Sequence, residues 1–488
     1  VTSATDISYH KLSNFVSNTD RDVFALKNLP EEVVAFLFAR YSRSPLSLRD
    51  DLLAMLEDEH LTDLVGTSEP TEWAADGDAL SGLQNRARAF AEKYVVGYGH
   101  GSVAEHAVVK LALENVSILA SKLIEDNRLA SYTEKSTRYV EFDSTKAIYP
   151  THIMNSPFGD IYQDAVSSLM EAYSSWMPIF VGEIKNRTQR TEKQTERGYN
   201  AACKSTACDI LRYLLPTATH TNIGLTVNAR SLENMITKLL SQPLLEGIAL
   251  GESIKAEAIP LVPTLLKYAD RNSYRAERAA QSLEQDKPAS ATSTNSAHLI
   301  GSYLSEPDAL ALIALPNGVE KFDVESLLSS RGKHDAVPRE FERVSLTLDL
   351  IMDYGAFRDI QRHRLATQTT LPLTPYHGYE CPIELAKFGY EEEYNLLMEK
   401  SAVAYEKLVA AGFGAEAAYV LPLAYRVRTL FTANLREWFH LIELRSSRQG
   451  HPSYRKIAML AADEIEKIYP SIAKHIRVNR NEYALTRD

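Results

Sequence analysis

Arg128-Leu-Ala-Ser-Tyr-Thr-Glu-Lys-Ser-Thr-Arg-Tyr139 has a partial echo further along the chain, Gln361-Arg-His-Arg-Leu-Ala-Thr367. Aligned on Arg128 and Arg364, each looks like one half of a single motif. The first copy keeps the end, Ser136-x-Arg138-Tyr139, and the second keeps the beginning, Arg362-His363-Arg364. A chain built this way reads as a tandem duplication whose two copies have lost complementary parts.

The surroundings of the two motifs repeat in the same order. Val109, Leu111 and Leu113 alternate with other residues, as do Val344, Leu346, Leu348 and Leu350. Period-two patterning predicts a half-buried strand in each case. Val116, Leu119, Leu123 and Ile124 then recur at helical spacing, and Tyr354, Phe357 and Ile360 do the same before Arg362. Further on, Leu214-Leu-Pro216 precedes Thr226-Val-Asn-Ala-Arg230, and Val420-Leu-Pro422 precedes Thr432-Ala-Asn-Leu-Arg436. The proline stops one helix, and the Asn/Arg pair opens or lines the next. The offset is 236 between the basic motifs (364 − 128) and 206 between the Asn/Arg motifs (436 − 230). The 30-residue difference predicts extra material in copy one, assigned to the polar run 186–200. The expected fold is therefore α/β (α+β), with two tandem copies, each a central sheet flanked by long helices. The boundaries read as an N-terminal helical extension over 1–94, copy one over 95–270, a small and polar linker over 271–297, and copy two over 298–488.

Bulk properties narrow the function. The net charge of −11 argues against a general nucleic-acid or membrane-surface binder, which needs broad basic faces. Three cysteines, Cys203, Cys208 and Cys381, are too few for a disulfide framework and fit a reducing compartment. No paired Cys/His spacing suggests a metal. Val1 to Asp20 is polar, without a charged-then-apolar signal pattern. The expectation is a soluble cytoplasmic protein that takes anionic small molecules through local basic clusters.

Arg362, His363 and Arg364 form the sharpest such cluster, three polar forks at one helix end that suit a diphosphate or ribose-phosphate. Ser136 and Arg138, two positions apart on an extended segment, suit a small anion, with Glu134 placed to accept from a base or ribose. Asn228, Arg230 and Asn234 are expected on one helix, and Asn434, Arg436, His440 and Arg445 on another. Asn amides offer both donor and acceptor to a ring edge. His100 and Ser102 lie in Gly99-His-Gly-Ser102, whose glycines permit close approach to a flat ligand. Gly332-Lys-His-Asp-Ala-Val-Pro338 is a loose counterpart.

Together, Gly99-His-Gly-Ser-Val-Ala-Glu-His106, Arg128 to Tyr139, Thr226-Val-Asn-Ala-Arg-Ser231, Arg362-His-Arg364, Leu421-Pro422, Asn434-x-Arg436 and Leu444-Arg445 resemble the flavin-dependent thymidylate synthases (ThyX). The resemblance covers roughly 95–250 and 330–475. It implies a homotetrameric α/β architecture with FAD and dUMP bound where subunits meet, and methylene transfer from methylenetetrahydrofolate to dUMP with NADPH as reductant. It uses no cysteine nucleophile. Carried over by motif, Arg128, Arg362, His363 and Arg364 would hold FAD, with Arg362 reaching the uracil. His100 and Ser102 would border the flavin. Asn228, Arg230 and Asn234, or Asn434, Arg436 and His440, would contact its ring. Glu134, Ser136 and Arg138 would hold the sugar and phosphate of dUMP. Arg212 takes the slot of a uracil-contacting, catalytic arginine, and Arg445 that of a phosphate arginine.

The departures from that pattern matter. Asp126 and Asn127 replace the leading Arg-His in copy one, and Leu123 replaces a substrate-binding glutamine. In copy two, Pro372 and Thr374 replace the serine and arginine, Ala418 replaces the uracil arginine, and Asp359 replaces the glutamine. The expectation is a homodimer that imitates a tetramer and pools the surviving residues into composite sites. The rival readings are a related flavoenzyme acting on another pyrimidine nucleotide and a non-catalytic nucleotide-binding protein.

Overall fold

A computed structural model describes residues 12–42, 44–57, 101–192, 194–283, 294–302, 304–315 and 323–481. The chain folds as two compact units that do not coincide with the two copies. One comprises Val1–Leu113, Leu129–Thr133 and Gly224–Ala279; the other comprises Glu114–Arg128, Glu134–Ile223 and Ala280–Asp488.

The duplication is visible in the sheets. Strands β1 (Val108–Ser117), β2 (Ala130–Glu134) and β3 (His220–Asn228) are ordered β1-β3-β2. Strands β5 (Ser345–Asp353), β6 (Thr367–Thr370) and β7 (Arg426–Asn434) repeat that order as β5-β7-β6, and β4 (Ser296–Gly301) adds an antiparallel edge against β5. The central strands β3 and β7 alternate buried residues with half-buried or exposed ones, with Ile223, Leu225 and Val227 facing a core in one and Val427, Phe431 and Ala433 in the other. That alternation is what a sheet with one covered face requires.

Helix starts repeat as well. Ser117 Oγ accepts from Ala120 N at 2.9 Å and opens α1 (Ile118–Glu125). Asp353 Oδ1 accepts from Ala356 N at 2.7 Å and opens α4 (Tyr354–Ile360). Between them in sequence lie α2 (Glu196–Leu211) and α3 (Ala229–Leu240), and beyond them α5 (Leu435–Arg445) and α6 (Pro452–Ile468). The sequence pattern placed Asn228 and Asn434 mid-helix, whereas the structure places both at a helix start. Each is an N-cap, with Asn228 Oδ1 accepting from Ser231 N at 2.8 Å and Asn434 Oδ1 from Glu437 N at 2.9 Å. Capping satisfies backbone donors that a helix end otherwise leaves unpaired.

The two copies meet at their Leu-Pro turns. Thr217 N donates to Leu421 O at 2.9 Å, and Leu423 N donates to Leu215 O at 3.0 Å, a reciprocal pair around Pro216 and Pro422. Leu119 N donates to Thr217 O as Gly355 N donates to Leu423 O, so each copy seats the start of its basic-motif helix on this turn in the same way.

Two boundaries differ from the sequence reading. The extra material of copy one is not confined to the polar run 186–200. Copy one uses two helices, Gly159–Arg187 and α2, where copy two uses Glu391–Ala410 alone. The stretch 271–297 carries a helix over Ser273–Ser282 and the first two residues of β4, while 284–293 lie outside the described residues. Within 1–94, helices Glu31–Tyr41 and Leu48–Glu57 pack Val33, Leu37 and Leu52 against Leu12, Phe15 and Val16. Among the described residues no helix is long and apolar enough to cross a membrane.

Replacing either cap, Asn228→Ala or Asn434→Ala, should lower stability by about 1 kcal/mol. Urea unfolding midpoints measure this, and unchanged midpoints in both variants would show that the caps carry no weight.

Candidate functional site

Asp359, near the end of α4, is acted on by a cluster of arginine charges drawn from both copies. Its side chain is 14% exposed, and it pairs with Arg212 at 3.3 Å. Burial alone would raise its pKa. The charges of Arg212, Arg362, Arg445 and Arg138 outweigh that and hold it below the usual carboxylate range. Arg138 and Arg212 come from copy one, and Arg362 and Arg445 from copy two.

Each arginine is held differently. Arg138 is buried and donates two hydrogen bonds to Asp209 at 2.7 and 2.8 Å and one to the Tyr454 hydroxyl at 2.8 Å. The Arg138 and Arg445 guanidinium carbons each lie 5.5 Å from the Tyr454 ring centroid, so this tyrosine braces one arginine from each copy. Arg212 is only 1% exposed, and its Nε and one Nη have no hydrogen-bond partner among the described residues. It fits because Gly355 lacks a side chain: a Cβ there would stand 2.9 Å from that same Nη. Arg362 is exposed at the end of α4.

His363 is not a third fork beside Arg362 and Arg364. It is buried, and Arg445 Nε donates to its Nε2 at 2.9 Å, which leaves Nδ1 to donate to Glu437 at 2.8 Å. Burial, assisted by Arg445, pushes its pKa down against the pull of Glu437. The ring is therefore neutral with its proton on Nδ1, and it orients Arg445. Arg364 turns away and donates to the Arg128 carbonyl at 3.4 Å. His451, pushed down to about 3 by burial and then by Arg212, is also neutral, and its Nε2 donates to the Asp209 carbonyl at 3.0 Å.

A second ionic cluster surrounds Arg358, which donates to Ser121 at 2.9 Å, to Glu125 at 3.1 Å and to Glu134 at 3.0 Å, with Gln361 beside it. Burial raises the Glu125 pKa despite Arg358. Glu134 is thus committed to Arg358 rather than presented to a sugar. Two cavities adjoin these clusters. One, of about 320 Å³, is lined by residues that include Lys333, His334, Asn434, Arg436, Glu437 and His440. The other, of about 650 Å³, includes Asp209, Tyr213, Cys381, Phe388, His451 and Lys456 in its lining. Burial, reinforced by Glu391 and Glu380, pushes the Cys381 thiol up to about 11 and keeps it protonated at neutral pH.

The family described as thymidylate synthase complementing protein (Thy1) matches this chain twice, over residues 61–250 and 263–471. The chain belongs to this family. It is 33% identical over 509 residues to a UPF0159 protein of Chlamydia muridarum, covering 96% of this chain and 94% of the relative. A UPF0159 protein of Thermoplasma acidophilum is 29% identical over 84% of this chain and 92% of its own length. A flavin-dependent thymidylate synthase of Thermococcus onnurineus is 29% identical over 142 residues, 29% of this chain and 50% of the relative.

Of the residues that the Thy1 motifs single out, Arg138, Arg212, Arg362, His363 and Arg445 come together within one chain. Ser136 lies not on an extended segment but in a turn, where its hydroxyl accepts from Arg138 N at 3.2 Å. Arg436 and His440 line the smaller cavity, with Arg436 tied to Glu342 at 2.6 Å and to the Val337 carbonyl at 2.7 Å. Lys333 and His334 join them from the stretch that echoes Gly99 to Ser102. In the other compact unit, Arg230 pairs with Glu105 at 2.5 Å, Asn234 accepts from Arg275 at 2.7 Å, and Ser102 is exposed. His100 lies outside the described residues. Asp209, Tyr454, Glu437 and His451 escaped the motif search. Their signal was available for Asp209 and Glu437, acids on the apolar faces of helices, where an ion is expected only if paired.

Gly355→Ala should cost about 1–3 kcal/mol, since the added methyl meets a guanidinium that cannot leave its buried slot. Chemical denaturation tests it, and a neutral result would mean that Arg212 has room to move. His451 carries a second expectation. Its folded pKa lies below the unfolded value of about 6.5, so the unfolded chain takes up the proton first. The contribution of this residue to stability is full above pH 6.5 and falls on acidification toward the folded value of about 3. His451→Gln, which can still donate to Asp209 O, should lose less stability than the native chain between pH 7 and 5. Parallel losses in the two proteins would refute this.

Proposed function

We propose that this Thy1-family protein is a flavin-dependent thymidylate synthase that methylates dUMP with methylenetetrahydrofolate and NADPH, using one composite nucleotide site per chain. The observation that carries the reading is the convergence of Arg138 and Arg212 from copy one with Arg362 and Arg445 from copy two around a single acid. Guanidinium clusters of this kind suit phosphate monoesters. The junction expected from the opposite residues is bare of them. Asn127, in the slot of His363, donates back to the Ile124 carbonyl of its own helix at 2.9 Å, and Thr374, in the slot of Arg138, is a buried hydroxyl.

The residues of the smaller cavity fit one edge of a flavin. Lys333 offers positive charge, Arg436 shares its charge with Glu342, the acids Asp335, Glu437 and Glu443 complete the polar lining, and His440 and Phe439 offer flat surfaces. Its volume of about 320 Å³ is at the low end for small-molecule sites, so a second copy of the chain would complete it in a homodimer. Bound FAD would supply the hydride; Arg362 and Arg436 would orient its charged parts, and Arg445, steadied by His363, would hold the nucleotide. The commitment of Glu134 to Arg358 favours a second reading, in which the same site takes a different pyrimidine nucleotide.

The purified protein should be yellow, and dUMP should accelerate oxidation of its reduced flavin by methylenetetrahydrofolate. Calorimetry should count about one dUMP per chain. Arg362→Ala should weaken nucleotide and flavin binding roughly ten- to a hundredfold, as losing a charged hydrogen bond of about 1.5–3 kcal/mol implies. Because Arg138 and Arg362 belong to the same cluster, mixing the inactive Arg138→Ala and Arg362→Ala proteins should restore nothing. A colourless protein, two equivalent sites per chain, or recovery on mixing would each defeat this reading.

A further inference from the structure

We propose that Asp359 is an internal anion standing in the ligand's place within the arginine cluster, and that it determines which external anions enter and how tightly. The proposal relies on the function above only for the identity of the natural ligand.

The geometry of the pair is the first argument. Arg138 and Asp209 make a two-pronged contact at 2.7 and 2.8 Å, as a settled structural ion pair does. Arg212 and Asp359 make one contact at 3.3 Å. That is long for a charged hydrogen bond, and two further Arg212 nitrogens have no acceptor. Asp359 therefore offsets part of the cluster's charge without satisfying its donors. An oxyanion with three or four oxygens can satisfy more of its donors at once.

The second argument comes from the other copy. By the motif offsets, Asp359 corresponds to Leu123, Arg212 to Ala418 and Gly355 to Leu119. The same helix and turn are built there from apolar residues, so the fold does not require the pair. The third is accessibility. Arg212 is 1% exposed and Asp359 14%, so an entering ligand meets the acid before the buried arginine. The charges of Arg362 and Arg445 act on the acid and would act on any anion that takes its place.

The test compares the native full-length chain with Asp359→Asn and Asp359→Glu, using sulfate, whose charge is constant near neutral pH, and dUMP as probes. Asp359→Asn should bind sulfate about tenfold more tightly than the native chain, as expected when a like charge leaves a partly buried site, and Asp359→Glu should match the native chain. Removing the acid also takes from the buried Arg212 the carboxylate it contacts, leaving Asp353 as the remaining acid that acts on it. Potassium sulfate should therefore raise the melting temperature of Asp359→Asn, or restore its circular dichroism if it is unfolded, more than it does for the native chain at matched ionic strength in chloride. Weaker or equal sulfate binding by Asp359→Asn, or no sulfate-specific rescue, overturns the proposal and makes Asp359 a structural counter-ion. If sulfate binding tightens while neither protein binds dUMP, the internal anion stands and the nucleotide assignment falls. If both proteins bind dUMP and sulfate equally well, the nucleotide assignment stands and the internal anion falls.

Discussion

A guanidinium can be taken out of water only if an acid goes with it, and burial of Arg212 sets the terms for everything around it. Its side chain is 1% exposed. Asp359 must then lie within reach, and the residue at 355 must be glycine, because any Cβ would press into the guanidinium. Asp359 in turn feels the charges of Arg362, Arg445 and Arg138, and the last two of these are held by other groups. Asp209 restrains Arg138, His363 restrains Arg445, and Tyr454 braces both. Like-charged groups so near one another would spread apart without these contacts.

Such an arrangement is a poor way to stabilise a protein. Buried ion pairs often contribute no more than apolar residues of the same volume. The chain itself illustrates this, since Leu119, Leu123 and Ala418 hold the corresponding positions of the other half. The Arg358 cluster makes a useful contrast. There Ser121, Glu125, Glu134 and Gln361 surround one guanidinium, and burial raises Glu125 toward its neutral form. It holds more acid than base and is closed to an anion. One cluster is cationic with donors unspent; the other is saturated. Only the first has the charge to attract a phosphate.

Much of this was legible in the residues. The repeated order of strand, helix, basic motif, Leu-Pro and Asn-x-Arg foretold two sheets of matching topology, because each signal is local: period-two burial, a capping side chain, a proline. Arg138, Arg362 and Arg445 were singled out by their motifs, and the fold brings their charges to bear on one acid. The failures share a cause. Asn228 and Asn434 were read as mid-helix residues, but a cap and a mid-helix amide look alike in sequence, and only backbone geometry separates them. Glu134 looked available because its partner, Arg358, is 224 residues away. Asp209 was missed because its partner, Arg138, is 71 residues away, and only the fold brings that segment to α2. Pairings between distant segments are set by the fold, and a single sequence does not record them.

The asymmetry of the two halves follows from their being joined. When identical chains assemble, a substitution that improves one junction appears at every equivalent one. Here the halves meet within one chain at Pro216 and Pro422, where Thr217 bonds Leu421 as Leu423 bonds Leu215. That seam keeps both halves in register while leaving each junction free to change alone. Arg212 facing Asp359 needs Gly355, while Ala418 with Leu123 accepts Leu119, so the size and charge changes come as matched sets. A set can drift in one half without disturbing its counterpart. Concentrating four arginines at one junction concentrates their repulsion there too, and the acids at 209 and 359 keep that junction folded. The same two acids lower its charge by two units, which leaves a net positive field at that junction.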